Sequence, residues 1–249
     1  MSETLPSRSP VTGLPRSGLP LHAVVVGDPD RASWIAGHLD KPVLVSAHRK
    51  YVAHRGYWQG TELLVMAHGV GAPGALCAFE DLLAGGVGVV VRLGTAGAVA
   101  PDLEAGSVVV ATAAIRDDGV TEQYIPLAYP AYADPALTLQ LERTANHHGI
   151  VARCGVVVTR ALLNPGLVEL PTALYARAGV LAIEMELAAL LVAASTRGRR
   201  AGGILVVDGP GTEAGAYLPD PAAVQAAMRA VIPAVLDAVV STSAPERIR

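Results

Sequence analysis

The chain has 249 residues, 51% of them hydrophobic and 16% charged, with a formal charge of −3. That length suits one large domain with a sizeable core. With 19 basic against 22 acidic residues and no long run of one sign, it lacks the footprint of a nucleic-acid binder or a polybasic membrane anchor.

Residues 1–20 carry prolines at 6, 10, 15 and 20 with scattered Ser and Gly, so they read as a flexible arm and residues 21–249 as one domain. The first strand falls at 22–27, stopped by Gly27-Asp28-Pro29-Asp30-Arg31, where a helix starts. Strands follow at 42–47, 51–57 and 62–67, and the Gly-rich loop 69–74 leads into a helix at 75–83. The continuous apolar run 87–93 reads as a strand buried on both faces. Next come a turn at 94–97, a strand at 107–115, a helix at 136–148, a strand at 151–159 and a helix ending near 197. A strand at 203–208 and an amphipathic helix at 221–240 close the chain. Strands alternating with helices predict an α/β fold, a single domain with a central mixed sheet flanked by helices. Cys77 and Cys154 sit in apolar stretches and read as small buried hydrophobes, which, with no secretory signal, predicts a cytoplasmic protein.

In open α/β sheets ligands bind beyond the strand ends. Three such ends carry oxyanion chemistry: Gly27 to Arg31, Arg49 in Ser46-Ala-His-Arg-Lys-Tyr51, and Arg92-Leu-Gly-Thr95-Ala-Gly97. Guanidinium forks, a hydroxyl and glycine N–H groups suit phosphate, although the same residues also serve as ordinary ion pairs and turns. In Glu184-Met185-Glu186 two carboxylates flank a methionine. At most one is expected to project into a pocket, while the other does structural work; a sugar's vicinal hydroxyls would suit the first. Asp208 ends an apolar strand and is a candidate general acid or a plain turn carboxylate.

In order and spacing, GDPDR (27–31), AHRKY (47–51), HGVGAPG (68–74), RLGTAG (92–97), EMELA (184–188) and GGILVVDG (202–209) resemble the nucleoside phosphorylase superfamily. The branch is that of the uridine phosphorylases and hexameric purine nucleoside phosphorylases, with the motifs most similar to protozoan purine enzymes. The resemblance implies reversible phosphorolysis of a nucleoside, with inorganic phosphate as co-substrate and no organic cofactor; Lys50 stands where some uridine phosphorylases have a potassium-binding glutamate, so no metal is expected. It implies phosphate ligands at Gly27, Arg31, Arg92 and Thr95, with Arg49 given by a neighbouring subunit, hence a dimer as the functional unit in a homo-oligomer, usually a hexamer. Glu186 would hold the ribose hydroxyls, Met185 would pack on the sugar, and Glu184 would sit nearby at the rim. Leu163 stands where an aromatic residue faces the base, and Asp208 where purine enzymes address N7. Pyrimidine-reading residues of the family are replaced here by Leu167, Glu169 and Gly209, and the family's N-terminal His-Leu-Gly segment is absent. A purine substrate is therefore the favoured reading. The alternatives are a pyrimidine phosphorylase of relaxed or 5′-modified specificity, and a nucleoside-binding protein that has lost catalysis.

Overall fold

β-branched runs with no polar side chain on either face are stable only when covered on both sides, and such runs form the centre of the sheet. The computed structural model describes residues 7–164, 166–168, 171–210 and 221–245; Pro165 and Glu169 lie outside them. In chain order the elements are β1 (His22–Val26), α1 (Pro29–Ala36), β2 (Asp40–His48), β3 (Tyr51–Trp58), β4 (Thr61–Ala67), α2 (Ala72–Ala84), β5 (Val89–Ala98), β6 (Val108–Asp117) and α3 (Thr121–Tyr124). They continue with β7 (Ala131–Tyr132), α4 (Pro135–His147), β8 (Ala152–Arg160), α5 (Thr172–Arg177), β9 (Ala182–Glu184), α6 (Leu187–Ser195), β10 (Arg200–Pro210) and α7 (Pro221–Ser241).

One mixed sheet runs β10-β6-β8-β9-β5-β1-β4-β3-β2, with β7 paired to β6, and β10 also pairs with β5, so five strands close into a ring from which β1, β4, β3 and β2 extend. β5 lies parallel to both β1 and β10 but antiparallel to β9, which brings the ends of β1, β5 and β10 beside the β9–α6 junction. One core face packs Phe79, Leu82, Leu187 and Leu190 from α2 and α6. The other packs Ile35, Leu137, Leu141, Val231 and Val235 from α1, α4 and α7. By length and composition α7 could cross a membrane; here its Met228, Ile232, Leu236 and Val239 are buried in that second core.

Four short elements, α3, β7, α5 and β9, were not expected from the sequence. The expected turn at 94–97 is instead strand: β5 continues through it because Leu93 to Ala98 pair with β10. The described part of the expected arm is docked. Leu14 is fully buried, Thr12 Oγ1 donates to Asp81 (2.6 Å) and Ser46 Oγ donates to the Thr12 carbonyl (2.7 Å). Neither cysteine is fully buried, since Cys154 is exposed and Cys77 half-buried.

Candidate active site

Backbone pairing carries β1 and β4 past their ends. The His68 N–H donates to Val26 O (2.8 Å) and the Gly69 N–H to Gly27 O (3.1 Å), which sets Gly27 against the loop 68–71. Asp28 then caps α1, accepting from the N–H groups of Asp30 (2.6 Å) and Arg31 (3.1 Å), with Pro29 pre-set for the first turn. Arg31 is thereby held at the sheet edge. Gly69 and Gly71 have φ of +78° and +91°, which disfavours any residue with a Cβ there.

Arg92 is the hub. Its side chain is buried, with Nε and Nη2 donating to Glu184 Oε2 (3.0 and 2.9 Å) and Nη2 also to Glu186 Oε2 (2.5 Å). The guanidinium folds back over β5: a Cβ on Gly94 would lie 2.7 Å from Arg92 Nη1, so glycine there is a packing requirement. Burial lowers the Arg92 pKa, but the two carboxylates more than offset it and the net shift is upward. On the third side Nη1 meets His68 Nε2 at 3.2 Å. A guanidinium only donates, so Nε2 is the acceptor, and the ring proton is assigned to Nδ1, 2.8 Å from the Gly69 carbonyl. Burial, then the Arg92 charge and more weakly that of Arg31, hold His68 neutral, well below its ordinary pKa of 6.5.

The two acids divide their work. Glu184 accepts from four donor groups: Arg92, the Thr159 hydroxyl, and the N–H groups of Glu186 (2.8 Å) and Leu187 (2.9 Å). A carboxylate offers about four lone-pair sites, so Glu184 is saturated, and it caps α6 from inside the core. This corrects the expectation of a rim residue. Among the described residues Glu186 accepts from Arg92 and from the Gly71 N–H (2.5 Å), which leaves it accepting capacity. Its pKa is raised, first by burial and further by Glu184, against the lowering effect of Arg92.

Thr95 lies one residue beyond Gly94 on β5, half-buried, and its hydroxyl has no partner among the described residues. Asp208 is 4% exposed. Between Val207 and Gly209 the β10 register against β5 slips by one residue, so Asp208 is the extra residue of a bulge, a device that re-aims a side chain. Met185 is half-buried between the two acids. Within one chain, Arg49 and Leu163 do not join this cluster. Arg49 is exposed at the β2–β3 hairpin tip and makes no ion pair among the described residues, and Leu163 is 57% exposed on the loop after β8.

Sequence spacing alone assigns no role to His68 or to Thr159. Their partners lie 24 and 25 residues away in sequence, and only the fold brings them together.

Buried carboxylates on an arginine, glycine-lined strand ends and a polar strand tip can hold an oxyanion beside a sugar's hydroxyls. The phosphorylase superfamily pattern matches residues 21–241, and the chain belongs to that family, among the pentosyltransferases. It is 34% identical over 218 residues to the uridine phosphorylase of Treponema pallidum (84% of each chain), and 33% identical over 189 residues to the purine nucleoside phosphorylase of Plasmodium falciparum (75% of this chain, 77% of the relative). Among solved structures, uridine phosphorylase of Vibrio fischeri superposes with a TM-score of 0.88 at 27% identity, covering 96% of this chain and 100% of that one. Toxoplasma gondii purine nucleoside phosphorylase with immucillin-H superposes with a TM-score of 0.89 at 27% identity, covering 95% and 96%.

Proposed function

We propose that the protein catalyses reversible phosphorolysis of a purine nucleoside, giving free base and ribose 1-phosphate, with inorganic phosphate as co-substrate and no organic cofactor. The observation that carries the reading is the division of labour at Arg92. One carboxylate is saturated and structural; the other keeps capacity for the two vicinal ribose hydroxyls. Gly27, Arg31, Arg92 and Thr95 hold phosphate against the positive charge that develops on the sugar. Met185 packs under the ribose. Asp208, protonated, donates to N7 of the departing purine, a contribution of about 10²–10⁴-fold for a positioned general acid.

The reading extends to a cytoplasmic homo-oligomer whose functional unit is a dimer, with Arg49 reaching the neighbouring chain's phosphate. Two features support it: the exposed, unpaired Arg49, and an edge strand β2 that leaves Val43 57% and Leu44 56% exposed. Two large apolar side chains exposed side by side on an edge strand suit cover by another chain.

The second reading is a pyrimidine base, favoured by the several uridine phosphorylases among the relatives. A panel of inosine, guanosine, adenosine and uridine, with and without phosphate, separates the two. Phosphate-dependent release of purine that drops sharply in Asp208→Asn supports the proposal. Release from uridine alone installs the second reading, and phosphate-independent release would mean a hydrolase.

A further inference from the structure

Arg160 ends β8 at 7% exposure, and its Nε has no hydrogen-bond partner among the described residues. No ion pair of Arg160 forms among the described residues. The charged and titratable groups facing it are Asp117, opposite it in the β6–β8 register, and Tyr175 of α5, whose phenol feels both charges. Arginine cannot shed its charge, and an isolated buried cation costs several kcal/mol. A fold that keeps one has a use for it.

The register shows where the side chain stands. Gly97 lies opposite both Gly209 on β10 and Ile183 on β9, and Ile183 lies opposite Val158 on β8. Cross-strand partners share a face and alternate residues repeat it, so Thr95, Ile183, Val158 and Arg160 share one face. Thr159 and Glu184, on the other face, bond to each other, as this pattern requires. Asp208 at the β10 bulge and Arg160 at the end of β8 thus stand on the two strands that flank the β5–β9 pair and the bare Gly97 backbone, and β6 links those same strands round the closed ring. The loop after Arg160 is apolar at Leu162, Leu163, Leu167 and Val168.

We propose that Arg160 is a base-reading residue, whose buried guanidinium donates to an exocyclic oxygen and selects oxo-bearing bases, 6-oxopurines or uracil, over their amino counterparts. This rests on the nucleoside phosphorylase reading but is indifferent to purine against pyrimidine. An amino group in the oxygen's place would confront the guanidinium donor to donor and leave it unsatisfied, the arrangement that gives a polar pocket its discrimination.

The test is Arg160→Met, with Arg160→Gln as a second variant that keeps donors without the charge. The kcat/KM ratios of inosine to adenosine and of uridine to cytidine are expected to fall about 10- to 100-fold in Arg160→Met, the loss of a hydrogen bond from a charged group. The ligand-free Tm should hold or rise, because the side chain leaves no bond behind; a merely structural arginine would lower it. An unchanged ratio, or equal losses on both base classes with a lowered Tm, overturns the proposal. If the wild type turns over no nucleoside, it is the phosphorolysis reading that fails. Calorimetric binding of hypoxanthine against adenine to wild type and both variants then still tests Arg160, with an unchanged preference counting against it.

Discussion

Glu184 and Glu186 are chemically identical and two residues apart, yet substitution should separate them. Glu184→Gln leaves Arg92 paired with Glu186 but weakens three buried hydrogen bonds, to Thr159 and the α6 N-terminus, so it is expected to cost about 1–3 kcal/mol of stability, read by denaturant unfolding. Glu186→Gln leaves Arg92 paired with Glu184, so its main effect is a rise in KM for the nucleoside. Because burial raises the Glu186 pKa, the acid limb of kcat/KM in the wild type should lie above 4.5, the ordinary value for a glutamate. His68 gives a second pH signature. Its folded pKa is depressed below 6.5, so the unfolded chain binds more protons as pH falls from there, and stability drops with it. The slope reaches at most about 1.4 kcal/mol per pH unit, and His68→Gln, which keeps an acceptor for Arg92, should flatten it in thermal melts between neutral pH and pH 5. Sequence showed that the two acids would differ, because adjacent alternate positions cannot make the same contacts. Spacing alone did not show which was which, since that depends on Thr159 and the α6 N-terminus; the family resemblance gave the ribose to Glu186 but put Glu184 at the rim rather than in the core.

At the scale of elements, the strands with continuous apolar runs were legible because burial on both faces leaves a composition signal. β1, β4 and β10 fall within a few residues of their expected places. Short elements were not legible: β9 has three residues, and what makes it a strand is pairing to β5 and β8. RLGTAG looks like a turn because glycines usually mark one. Here Gly94 is present so that Arg92 can lie across it, and the strand runs on. Gly94→Ala should therefore displace the guanidinium and raise the KM for phosphate. The β2–β3 hairpin shows the opposite case, non-glycine residues where glycine would fit. Arg49 and Lys50 have φ of 49° and 71°, so both turn positions are left-handed. Lys50→Gly should relieve up to about 1 kcal/mol, visible as a raised Tm, while the phosphate KM stays put because Arg49 is retained.

At the scale of the whole molecule, the proposed phosphate site draws Arg31 from α1 and Arg92 from β5 of its own chain, while Arg49 is exposed at an edge hairpin. If each Arg49 serves the neighbouring chain, as proposed, an interface with two-fold symmetry gives each dimer two such shared sites. Arg31→Ala and Arg49→Ala are then each expected to raise the phosphate KM as homo-oligomers, with thermal melts checking that both remain folded. Co-expressing them yields mixed dimers in which one site lacks both arginines and the other lacks neither, since one chain supplies Arg31 and its partner Arg49. Random pairing makes half the dimers mixed, and half of their sites whole, so activity at low phosphate should recover to about a quarter of wild type. Activity equal to the average of the two parent variants would place Arg49 outside the neighbour's site and leave the hairpin with a purely structural role.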